Sequence, residues 1–142
     1  MSDPLYAKDL LRLAANAVGA GRLVPFDAEG LAHNPTCGDR VSVTLRLDVD
    51  GHIAAIAHET NACVLAQASA SILGAHLSGV DSAGVFALRA QVAAMLREGI
   101  GPPPAFTDFA ALAGAAIYRN RHTCVLLPID AVLGALSKWR SS

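Results

Sequence analysis

Val41-Ser42-Val43-Thr44-Leu45-Arg46-Leu47-Asp48-Val49-Asp50-Gly51 alternates apolar and polar residues along its length. Val41, Val43, Leu45, Leu47 and Val49 share one face, and Ser42, Thr44, Arg46 and Asp48 share the other. This is the pattern of a half-buried β-strand. Asp50-Gly51 reads as a two-residue hairpin turn, because glycine accepts positive φ without steric cost and aspartate tolerates it. The return strand is expected from His52 to about His58.

Upstream of this hairpin, a helix is expected over about 4–18, with Leu5, Leu10, Leu13 and Val18 on its apolar face and Gly19-Ala20-Gly21 at its end. Arg22 to Phe26 reads as a short extended piece that leads into a polar loop. Downstream, the period lengthens to that of a helix from about Ala62, with Leu65, Ser69, Ile72, Leu73 and His76 on one side and Gly79 as its end. Ser82 to Glu98 repeats the helical pattern through Val85, Leu88, Val92, Met95 and Leu96. Gly99 and the run Gly101-Pro102-Pro103-Pro104 cannot continue it. Thr107 or Asp108 is expected to cap a short helix through Ala116. A last helix carries Val125, Ile129, Val132, Leu133 and Leu136, with Pro128 in its first turn. The class is α+β: a small antiparallel sheet of about three strands packed against four to five helices, in one domain spanning 1–142.

Composition narrows the function. At 142 residues and 53% hydrophobic content, with mean hydropathy +0.40, the chain can build one core, although alanine supplies much of it. Aromatic residues are 5%, formal charge is −1, pI is about 6.5, and no block of one sign occurs. A basic, base-stacking nucleic-acid surface is therefore excluded. No apolar run is long enough to span a bilayer. Met1-Ser2-Asp3-Pro4 lacks the basic and apolar regions of a signal peptide, so a cytoplasmic location without a membrane partner is expected.

The chain has three cysteines, Cys37, Cys63 and Cys124. A closed disulfide framework would leave one over, so metal ligands, redox groups or buried core thiols are the alternatives. With Asp39, the three thiols have the number and type of one tetrahedral zinc site, and thiolates also hold iron–sulfur clusters. Cys37 lies in the turn Asn34-Pro35-Thr36-Cys37-Gly38-Asp39, where Gly38 lets Cys37 and Asp39 point the same way. Cys63 falls where the return strand gives way to a helix, and Cys124 just before or in the first turn of the last helix. Helix N-termini favour thiolate over thiol. Arg119, Arg121 and His122 act in the same sense if they face Cys124. His122 is also a candidate ligand, whereas His33, His52, His58 and His76 read as surface or core residues. No CxxC pair is present, and Ser69 and Ser71 lie mid-helix without the elbow of a serine hydrolase.

Asn34-Pro35-Thr36-Cys37-Gly38-Asp39-Arg40, the hairpin after it, and Cys63 leading into Ala68-Ser69-Ala70-Ser71 resemble the U-type iron–sulfur assembly scaffolds: IscU, SufU and the N-terminal domain of NifU. Leu112-Ala113-Gly114, with Arg121 three residues before Cys124, is similar to the third-cysteine region of that family. The resemblance runs from about Leu5 over nearly the whole chain. The long interval between Cys63 and Cys124, with an insertion at about 79–99, is closest to the SufU branch. Thr123 stands where IscU proteins have histidine, and no Leu-Pro-Pro-Val-Lys segment precedes Cys124. Thr60-Asn61-Ala62 replaces the usual Gly-x-Gly before the second cysteine, and Tyr6 lacks the His and Pro that often follow it.

The resemblance implies that Cys37, Asp39, Cys63 and Cys124 converge at one exposed site, which holds zinc in SufU-type proteins and assembles a [2Fe–2S] cluster from iron in scaffold-type ones. It further implies a cysteine desulfurase as sulfur-donating partner and downstream iron–sulfur acceptor or scaffold proteins as recipients. Cys124 is the candidate sulfur acceptor, and Arg121 a support for its thiolate. Three readings stay open: a cluster scaffold, a zinc-bound sulfur acceptor, and a structural or regulatory zinc domain without sulfur chemistry. Whether the chain is an enzyme stays open with them.

Overall fold

A computed structural model of the chain describes residues 8–35 and 38–141. The alternating stretch forms the middle strand of a three-stranded antiparallel sheet, ordered β1 (Ala28–Asn34), β2 (Asp39–Leu47), β3 (Ile53–Asn61). Val41, Val43 and Leu45 are fully buried on its inner face, as the period of two requires. Val49 departs from the pattern: β2 ends at Leu47, and Val49 sits exposed in the connecting loop. That loop is also longer than a two-residue turn. Asp48 N–H donates to His52 O at 2.9 Å, leaving residues 49–51 between them, with Gly51 at φ +86°. The Asp48 carboxylate accepts the amides of Asp50 and His52, both at 2.9 Å, and so stabilises the wider loop.

The extended piece before the hairpin is Ala28–Asn34, not Arg22 to Phe26. Pro25 has no N–H for a ladder, and the 20–27 segment instead crosses the outer face of the sheet. Leu23 N–H donates to Thr44 Oγ1 at 3.0 Å and Arg46 Nε to Pro25 O at 2.9 Å. This covering segment explains why Thr44, on the nominally wet face, is buried.

Among the described residues, four α-helices complete the architecture: α1 (Lys8–Asn16), α2 (Val64–His76), α3 (Ser82–Glu98) and α4 (His122–Ser141). The expected start of the first helix, before Lys8, lies outside the described residues. Helix α4 lies across the inner face of the sheet with Val125, Ile129, Val132 and Leu136 buried. Helix α2 packs beside it, and α1 packs on α2. Helix α2 ends at His76, three residues before Gly79. Helix α3 has the expected bounds, with the Asp81 carboxylate accepting the Gly84 amide at 2.9 Å.

Two expectations differ in detail. Thr107–Ile117 is a run of 3₁₀ turns without a side-chain cap, because Asp108 directs its carboxylate to His76 Nε2 at 2.9 Å. Pro128 lies inside α4, beyond its first turn, since α4 already begins at His122. Pro128 has no N–H to offer the Cys124 carbonyl four residues back, and its ring pushes that carbonyl aside. The buried apolar residues of sheet and helices form one cluster. Among the described residues, no helix is long and apolar enough to cross a membrane.

Candidate metal centre

One end of the sheet gathers the end of β1, the start of β2 and the end of β3. The turn from β1 to β2 closes through Gly38 N–H donating to Asn34 O at 2.8 Å, and Gly38 takes φ +76° as a tight turn there requires. Asp39 then opens β2. The far end of β3 leads directly into Cys63, which caps α2 with extended backbone, and α4 brings Cys124 as its third residue. Strand ends and helix starts thus deliver three candidate ligands, from the start of β2, the junction of β3 with α2, and the start of α4. Cys37 lies outside the described residues.

The donor atoms of Asp39, Cys63 and Cys124 all lie within 4.8 Å of one another. Tetrahedral zinc with bonds of about 2.0–2.3 Å needs ligand atoms roughly 3.3–3.8 Å apart. The described donors therefore fit three positions of such a site after small side-chain adjustments. Asp39 Oδ2 accepts from the Cys63 amide at 3.4 Å and from the Cys124 thiol at 3.6 Å. Asp39 and Cys63 are half-buried, whereas Cys124 is 1% exposed.

The Cys63 thiol is poised for metal. The Cys63 thiol is lowered from 9.0 to about 6, chiefly by the Cys124 S–H as hydrogen-bond donor. Desolvation opposes this, the amides of Ala66 and Leu65 at the α2 start assist it, and the Asp39 charge opposes it. The single Cys124 proton lies within reach of both Asp39 and Cys63 and can fully serve one at a time. The helix-start argument for thiolate thus has a geometric basis at Cys63.

Ser69 is a positioning residue that its sequence context did not reveal. Its fully buried hydroxyl donates to Val125 O at 2.7 Å, pinning α4 against α2 one residue beyond Cys124. A serine at an otherwise apolar position of α2 was the available signal. His122 sends Nε2 to Ala116 O at 3.0 Å, which holds its ring away from the ligand set. Arg121 lies half-buried three residues before Cys124, its amide donating to Tyr118 O at 2.8 Å. Thr60 and Asn61 pair with Val41 and Arg40 in the ladder, so β3 runs on almost to Cys63.

Fold and donor set define a small domain built on a three-stranded sheet, with a thiol–carboxylate cluster that could hold a metal ion. Residues 5–125 match the family model described as NifU-like N terminal domain, and the chain belongs to that family. The crystal structure of a nitrogen-fixing NifU-like protein (N-terminal) from Brucella abortus is 32% identical, with TM-score 0.91, covering 99% of this chain and 97% of that one. A crystal structure described only as that of a hypothetical protein is 26% identical, with TM-score 0.77 over 90% of this chain and 96% of the other. A protein from Fervidobacterium islandicum, described as a candidate iron–sulfur cluster assembly scaffold for the SUF system, shares the fold. It has 19% identity and TM-score 0.82, with coverage of 96% and 99%. No curated protein sequence matches the chain significantly.

Proposed function

We propose that this chain is a SufU/IscU-type iron–sulfur cluster assembly protein of the cytoplasm that accepts sulfur from a cysteine desulfurase and passes it, or a nascent [2Fe–2S] unit, to downstream proteins. The observation that carries this reading is the convergence of Asp39, Cys63 and Cys124 within 4.8 Å at one end of the sheet, in a chain of this family. Cys37, two residues before Asp39, is the proposed fourth ligand. Three thiolates and one carboxylate would carry about −4, which is unfavourable without a cation. Bound zinc would neutralise that charge and keep the thiols from oxidising.

The chain's own part in sulfur transfer is nucleophilic. The Cys124 thiolate attacks the outer sulfur of the desulfurase's cysteine persulfide. An S–S bond forms to Cys124, the S–S bond on the desulfurase breaks, and the desulfurase cysteine leaves as thiolate. No external oxidant or reductant enters. Arg121, near the start of α4, is proposed to stabilise that thiolate. For cluster handling, iron and sulfide are cargo, and Asp39 supplies the labile oxygen ligand that permits release.

A specific observation favours a second acceptor: Cys63 is the more exposed thiol and has the lowered pKa, whereas Cys124 is buried. Incubation with a cysteine desulfurase and cysteine, followed by alkylation and peptide mapping, separates the two. A persulfide on Cys124 that is lost in Cys124→Ser supports the first assignment, and one on Cys63 supports the second. No persulfide on any cysteine, with zinc still bound, would leave a structural zinc domain. The half-buried rim formed by Asp39 and Cys63 argues against that last reading.

A further inference from the structure

Away from the cysteines, a concavity of about 380 Å³ opens between α3 and the start of α4, lined by Leu96, Arg97, Ala116, Arg119 and His122. Among the described residues, no aspartate or glutamate lines it. Arg97 stands in the last turn of α3, where the helix dipole favours a cation. Arg119 stands in the single 3₁₀ turn Arg119–Arg121 that leads into α4. Three other arginines are in ion pairs: Arg22 with Glu29, Arg12 with Asp9 and Arg89 with Asp130. Arg97 and Arg119 make no ion pair or side-chain hydrogen bond among the described residues. His122 is committed to Ala116 O and serves as wall, so the two guanidiniums supply the charge.

Two like charges facing one concavity repel each other, and an anion between them reverses that sign. We infer that this concavity is an oxyanion site, in which Arg97 and Arg119 bind the carboxylate or phosphate group of a small molecule. The guanidinium fork matches either group in two-point contact. The volume falls in the small-ligand range of roughly 300–1,000 Å³. The site is distinct from the metal centre, since Asp39, Cys63 and Cys124 do not line it. His122 and Cys124 are two residues apart on α4, which turns them about 200° from each other around the helix.

The test uses the zinc-loaded full chain, titrated with inorganic phosphate and separately with succinate against chloride at matched ionic strength, and followed by amide NMR. Saturable shifts confined to the amides around Leu96–Arg97 and Ala116–His122 are expected with at least one of the two. Saturation by phosphate alone assigns the phosphate class, and by succinate alone the carboxylate class. Arg97→Gln with Arg119→Gln should weaken binding at least tenfold, since both charge-assisted contacts to the anion are lost. Their exposed positions leave the rest of the spectrum as an internal check of folding. Absence of saturation with both anions, or unchanged affinity in the double variant, overturns the inference.

Discussion

For Gly30→Ala, local preference and packing predict opposite signs. Gly30 is the buried third residue of β1, paired with Val43 and facing α4. A Cβ there would lie 2.1 Å from Ala131 O, 2.6 Å from Ala135 N and 3.0 Å from Ala135 Cβ. Ordinary contact needs about 3.4 Å, so α4 and β1 must part by roughly 1 Å. A gap of that size forfeits a quarter to a half of the dispersion energy along the interface. Overpacking of this kind costs about 1–3 kcal/mol. With an unfolding entropy of about 2.1 cal/mol/K per residue, a chain of 142 residues loses roughly 3–10 °C in Tm. Strand preference alone predicts a gain of about 0.5–1 kcal/mol from removing a glycine. Gly134→Ala is the control: it lies in α4 with nothing within 4 Å of an added Cβ, and should gain about 0.5–1 kcal/mol. Calorimetry of the metal-free variants reads both. Because α4 also carries Cys124, Gly30→Ala should bind zinc at least tenfold more weakly. A Gly30→Ala protein as stable as wild type, or more so, would refute the close packing of α4 on β1.

In metal-free protein, alkylation of Cys63 should follow a thiolate near pH 6, and Cys124→Ala should move that profile to higher pH because the Cys124 hydrogen bond is its first cause. An unmoved profile, read by mass spectrometry across pH, would remove the hydrogen bond from the account. His58 is buried, donates Nε2–H to Val18 O and bonds Thr60 Oγ1 through Nδ1, and burial lowers its pKa below 6.5. The unfolded chain therefore takes up the proton first: this contribution is present above pH 6.5 and lost progressively as pH falls below it. His58→Gln should flatten that part of the stability–pH curve, measured by urea unfolding. Ser69→Ala should cost about 1 kcal/mol for its lost hydrogen bond to Val125 O and weaken zinc binding, whereas Ser69→Thr that restores both would show that the hydroxyl alone matters.

How far the fold could be read depended on whether local chemistry or tertiary contact decided each element. Val41 to Leu47 alternates so regularly that no other assignment fits, and α3 is punctuated by Asp81 and Gly99 at its ends. Strand β1 was hidden because Ala28-Glu29-Gly30-Leu31-Ala32-His33-Asn34 has no β-branched residue, and its glycine serves the approach of α4. Pro128 looked like a helix start because that is where proline is cheapest, yet the helix extends before it. At the candidate site, the residue types in Asn34 to Asp39 and the positions of Cys63 and Cys124 pointed to the donor set. The burial of Cys124, the Ser69 anchor and the turning away of His122 depend on how α2 and α4 meet, which no local pattern records.

Cys37, Asp39, Cys63 and Cys124 are proposed to hold one metal. The most direct test is metal and acid-labile sulfide content after anaerobic purification of wild type, Cys37→Ser, Cys63→Ser, Cys124→Ser and Asp39→Ala. About one zinc per chain, or iron and sulfide in comparable amounts, is expected in wild type, lost in the cysteine variants and weakened in Asp39→Ala. Wild-type protein without metal, or metal retained in all four variants, would contradict the proposal.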